Sequence, residues 1–105
     1  MNQVELVQTI TSISLRAQKT LIFKNSAYNP GTDKLSHFKE GNLTSQEIVS
    51  ELLSHTTKHW KKVGLLKTEP IDSRPLEEWQ ESLDDIKNYM SLLECLLIDL
   101  LRERE

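Results

Sequence analysis

The stretch EEWQESLDDIKNYM, residues 77–90, sets Glu77, Glu78, Glu81, Asp84 and Asp85 within nine positions and follows them with Asn88 and Tyr89. On a helix, carboxylates three and four residues apart stand about 5–6 Å from one another, close enough to share a divalent cation. Hard oxygen donors suit magnesium or manganese, which keep several waters and complete their shells with substrate phosphates. Such a metal polarises a phosphoryl group and lowers the pKa of an attacking water. The competing explanation is electrostatic: the positive end of a helix favours acids in its first turn, solvated and holding nothing.

The helical wheel separates these acids. At about 100° per residue, Leu76, Trp79, Leu83, Ile86, Met90, Leu93, Leu97 and Leu100 form one heptad-like seam. Tyr89, Leu92 and Leu96 form a second apolar stripe beside it, confined to the C-terminal half. Followed toward the N-terminus, that flank carries Asn88, Asp85, Glu81 and Glu78, which are therefore expected to turn inward. Glu77 and Asp84 are expected to face solvent. The helix starts near Ser73 or Arg74, takes Pro75 in its first turn and runs about 40 Å at 1.5 Å per residue.

A second helix could supply facing groups. Glu47, Glu51, His55 and His59 recur every four residues, with Lys58 beside them. HTTKH has the histidine spacing of a zinc-binding helix but lacks its glutamate, so a mixed polar flank with His59 packed beside Trp60 is the preferred reading. TSQE is a capping box between Thr44 and Glu47, and Ile48, Val49, Leu52, Leu53, Thr56, Trp60 and Val63 give an apolar face ending at Gly64. Upstream, NQVE opens a first helix whose stripe of Val4, Leu6, Val7, Ile10, Ile13, Ala17 and Leu21 runs to about Lys24. Residues 25–43, with Pro30 and Gly31, read as a long loop with one short turn near residues 35–38. Residues 64–74, with Pro70, form a connector.

No alternating stretch suggests a strand. The expected fold is a single all-α domain, residues 1–105: a small helical bundle of three long helices, a short fourth, and a long loop after the first. The net charge of −3 gives no reason to expect nucleic-acid binding. Residues 75–105 hold nine acids against Lys87, Arg102 and Arg104, whereas residues 1–74 carry +3, so the front of the chain should attract the last helix. One cysteine, Cys95, rules out an internal disulfide and, among leucines, reads as a buried thiol. There is no apolar run of membrane-spanning length and no signal-peptide pattern, which points to the cytoplasm. The two stripes on the last helix exceed what short companions can cover, so a homodimer through the C-terminal helix is expected.

The segments KNSAYNPG, HFKEG, TKHWKKV and EEWQESLDDIKNYMSLLECLL resemble the small phage and bacterial nucleotide-modification-associated domain. That family is similar to the all-α nucleotide pyrophosphohydrolases of the MazG and dimeric dUTPase type. The resemblance spans most of residues 15–100. The family's acid-x-x-x-Asp-x-x-Asn-Tyr helix falls on Glu81, Asp85, Asn88 and Tyr89, its helix-end lysine on Lys58, and its DYG-like turn on Ala27, Tyr28 and Asn29. Ala27 and Asn29 depart from that turn, and Glu47-x-x-x-Glu51 departs from the Glu-x-x-Glu of the pyrophosphohydrolases.

The resemblance implies a dimeric helical bundle that binds nucleotides or hydrolyses them with magnesium. Glu81, Asp85 and Glu78 would ligate the metal, Glu51 and Lys58 would serve catalysis, and Asn88, Tyr89 and Tyr28 would contact the nucleotide. The alternative is a non-catalytic phage-type helical protein in the host cytoplasm that binds and modulates a host protein through outward acids, Asp84 and Glu77.

Overall fold

The computed structural model describes residues 1–28, 35–41 and 43–102, without the side chains of 26–28, 36 and 37. All regular structure among them is helical. Helix α1 spans Gln3–Tyr28, α2 Ser45–His55, α3 Thr57–Gly64 and α4 Leu76–Arg102, with 3-10 turns at Ser36–Lys39 and Leu65–Lys67. Because α2 and α3 are two halves of one bent helix, the architecture is three long helices, as the periodicity requires.

The helix starts follow local chemistry. The Asn2 side chain accepts from the Glu5 N–H at 2.9 Å. Thr44 and Glu47 exchange both capping-box hydrogen bonds, each 3.2 Å. Helix α1 runs four residues beyond the expected Lys24, because nothing in Asn25, Ser26, Ala27 and Tyr28 forbids helix; the stop signal is Pro30, which biases its predecessor away from helical geometry. The short turn expected near residues 35–38 is present at Ser36–Lys39.

The bend is a departure from the single second helix expected. The Thr56 hydroxyl donates to the Leu53 carbonyl at 2.7 Å, and the Thr56 N–H bonds the same oxygen at 3.1 Å. A threonine bonding back into the preceding turn competes with the regular ladder, and the following Thr57 adds a second β-branched side chain.

Helix α4 is the common partner: α1, α2 and α3 all pack on it. The core joins Ile48 and Leu52 of α2 to Leu96 and Leu100 of α4, with Leu35, Phe38, Tyr89 and Leu92 against them. The buried face of α4 therefore follows the second stripe as much as the seam, and Leu76, Leu83 and Leu97 of the seam stay exposed. Cys95 is exposed, not buried among its leucine neighbours, since the side of α4 it occupies receives no companion helix. Asp84, expected in solvent, is buried and bound by Arg16.

The expected attraction between front and back of the chain is realised within the fold. Arg16 meets Asp84, Lys24 meets Asp85 and Lys39 meets Asp99, each pair joining a basic residue upstream to an acid of α4. Among the described residues no helix is long and apolar enough to cross a membrane.

Candidate functional site

Where α1, the Ser36–Lys39 turn, α2 and α4 come together they leave a half-open cavity of about 670 Å³. Its apolar wall includes Leu21, Phe38, Ile48 and Leu92; its polar groups include Lys24, Asn25, Glu51, His55, Asp85 and Asn88; Tyr89 closes one side. This size falls within the roughly 300–1,000 Å³ of small-molecule sites, which are mostly apolar with a few placed polar groups.

Asp85 is the best-held polar group here. Its carboxylate lies 3.6 Å from Lys24 Nζ and 3.5 Å from His59 Nδ1. The His59 ring in turn lies against Tyr89, centroids 5.6 Å apart and tilted by 36°. Asp85 thus lies beside His59 and His59 beside Tyr89, so the aromatic ring at the cavity edge is backed by the imidazole. Asn88, one turn from Asp84 on the same helix, is nearly buried and lines the cavity floor. Across from them Glu51 is exposed and lies 3.4 Å from His55 Nε2.

A shallower recess of about 350 Å³ adjoins the cavity and shares Tyr89 and His55 with it. Lys58 and Lys61 lie along this recess, so a basic strip begins where the apolar cavity ends.

Five of the eight expected site residues therefore meet: Glu51, Asp85, Asn88 and Tyr89 at the cavity and Lys58 at the recess beside it. The other three do not join them. Glu81 is exposed on α4, and Glu78 is engaged by Arg74 at 3.5 Å. The Tyr28 side chain lies outside the described residues. Glu78, Glu81 and Asp85 do not converge, and among the described residues no group of three His, Cys, Asp or Glu side chains is placed to hold a metal. Among the described residues the donors for a resident magnesium therefore do not fit. The same holds for zinc at His55 and His59, which have separate acidic partners, Glu51 and Asp85.

Sequence reasoning missed Lys24, Asn25, Phe38 and Lys61. The signal for Lys24 was present, since it continues the spacing of Ala17 and Leu21, but only the packing of α1 on α4 shows where that face points. Compared with family models, curated proteins and solved structures, the chain matches none.

Proposed function

We propose that this is a nucleotide-binding domain, with the nucleoside in the cavity and its phosphates along the adjoining recess. The observation that carries the reading is the junction at Tyr89, where an apolar cavity with an amide, Asn88, passes into a recess with two lysines, Lys58 and Lys61. A base has an apolar face and hydrogen-bonding edges, and its phosphates need cations. Tyr89 offers a ring for stacking, Asn88 reads a base or ribose edge, and the lysines receive the phosphates. Glu51 and Asp85 are acceptors for exocyclic amino or hydroxyl groups. Magnesium, where it takes part, arrives with the nucleotide, and hydrolysis of the kind the pyrophosphohydrolases perform is a further property for the same assay.

Calorimetric titration with nucleoside mono-, di- and triphosphates, with and without magnesium, tests the reading, with phosphate and pyrophosphate release followed in parallel. The expected result is saturable binding that strengthens from mono- to triphosphate and weakens about five- to a hundredfold in Tyr89→Ala and Lys58→Ala, each removing one contact of roughly 1–3 kcal/mol. Glu81→Ala, on the exposed side of α4, leaves binding unchanged. Absence of heat with every nucleotide overturns the proposal.

A further inference from the structure

The residues of α4 that line the cavity stand on one face of that helix: Asp85, Asn88, Tyr89 and Leu92, spaced at i, i+3, i+4 and i+7. A carboxylate, an amide, an aromatic ring and an aliphatic side chain thus follow one another along the cavity wall. Asn88 is 9% exposed, and among the described residues its side chain makes no hydrogen bond. No side-chain nitrogen or oxygen among those residues is both occluded and unpaired, so the amide keeps its access through the cavity it lines. Buried polar groups in folded proteins have partners, and this one has to come from outside the chain. An amide sets an acceptor beside a donor, the complement of a base edge that carries a donor beside an acceptor.

Asp85 is the second polar group, three residues back and about 5–6 Å away between Cβ atoms. Its contacts with Lys24 and His59, at 3.6 and 3.5 Å, are longer than hydrogen bonds, so its oxygens keep their accepting capacity. An ionised carboxylate only accepts, and has about four lone-pair sites. Lys24 has 55% of its side chain exposed and can turn to water when a ligand enters; Asp85, at 21%, cannot. Glu51, across the cavity, is well exposed and stays hydrated whether or not a donor arrives.

We propose that Asn88 and Asp85 together select bases with an exocyclic amino group, namely adenine, cytosine and guanine, against uracil, thymine and hypoxanthine. This selectivity rests on the nucleotide reading of the same site and names its substrate class. Every one of these bases presents a donor beside an acceptor, so Asn88 alone does not discriminate. Asp85 does, because it demands a further donor. In adenine and cytosine a ring nitrogen and one amino hydrogen meet the amide, and the second amino hydrogen reaches the carboxylate. In guanine the carbonyl and the ring N–H meet the amide, and the amino group reaches the carboxylate. Uracil and thymine offer a carbonyl oxygen at that place and hypoxanthine a C–H. The first sets oxygen against oxygen, and the second leaves a desolvated carboxylate without a donor.

Calorimetric titration of the full chain with matched triphosphates tests this: cytidine against uridine, and adenosine against inosine, pairs that exchange an amino group for an oxygen. The amino member of each pair should bind about five- to a hundredfold more tightly. In Asp85→Asn that preference should disappear, because an amide can turn its NH₂ toward a carbonyl oxygen. Asn88→Ala should weaken both members of a pair alike. Circular dichroism checks that the variants are folded, and the parent's two pairs test the selection without any variant. Equal affinities within either pair overturn the proposal and leave the nucleotide reading standing, as does a preference that survives in Asp85→Asn. Absence of binding by all four triphosphates removes both.

Discussion

Arg16 holds Asp84 with two hydrogen bonds, Nε to one carboxylate oxygen at 2.7 Å and the terminal nitrogen to the other at 2.9 Å, across 68 residues of sequence. The partners are unequally buried: Asp84 is almost covered, whereas Arg16 keeps 40% of its side chain in solvent. The carboxylate raises the Arg16 pKa, chiefly through these hydrogen bonds, so the guanidinium is charged at every working pH. Inequality in burial predicts inequality in cost. Arg16→Ala strands a buried carboxylate whose remaining cation, Lys87, is 3.8 Å away, and should destabilise by about 2–3 kcal/mol. Asp84→Ala leaves an arginine able to hydrate and should cost about 1–2 kcal/mol. Urea unfolding of both variants checks the order; equal costs would mean that the burial difference is energetically silent.

Leu52 of α2 and Leu96 of α4 belong to one core cluster and are the largest fully buried side chains among the described residues. Leu96→Ala should lose about 2–5 kcal/mol through lost transfer energy and an unfilled hole, and Leu52→Ala a similar amount. Their effects should combine non-additively, because both line the same space. Chemical denaturation of the two single variants and the double variant gives the coupling directly.

At the bend, Thr56 is buried and its hydroxyl is satisfied by the Leu53 carbonyl. Thr56→Val keeps the shape and removes that bond, and should cost about 1 kcal/mol. Hydrogen exchange should quicken at the amides of His59 and Trp60, which bond to the Thr56 carbonyl. Unchanged exchange there would separate the hydroxyl from the bend.

Acid should loosen the entry to α4. Glu69 is held below its ordinary value of 4.5, first by its hydrogen bond from Arg74, at 3.2 Å, with Ser73 adding a smaller effect. A carboxyl whose folded pKa is depressed stabilises above the unfolded value, and that stability is lost as the pH falls through the folded value. The Tm difference between the parent and Glu69→Gln should therefore be constant above about pH 5 and shrink toward zero below the ordinary carboxylate range. A difference that persists at pH 3 would show that Glu69 acts by shape and not by charge.

The elements were legible because their signals are local. The side-chain cap at Asn2, the capping box at Thr44, apolar spacings of three and four and the turn near Phe38 each depend on a few neighbouring residues. Asp84 was misread because a wheel places charges outward by default, and its reason for turning inward, Arg16, belongs to another helix. The bend at Thr56 was hidden within an unbroken apolar face. At the site, Asp85, Asn88 and Tyr89 could be found by following one flank of α4, since a row of polar residues continuing an apolar stripe must leave the core at an edge. Glu81 continued the same flank by spacing, yet its side chain is exposed, although Trp79 before it and Ser82 after it are buried. Lys24 and Phe38 could not be assigned, because their place at the cavity depends on how α1 and the short turn lie against α4.

Dependence on α4 also bears on how the chain acquires its shape. Helices α1, α2 and α3 all rest on α4, and among the described residues each of the long-range ion pairs ends on one of its acids. Translation delivers that helix after everything it must organise. The nascent chain can form its separate helical turns early, but cooperative tertiary structure has to await the synthesis of α4, so a ribosome-tethered length that stops short of residue 76 should remain sensitive to protease throughout.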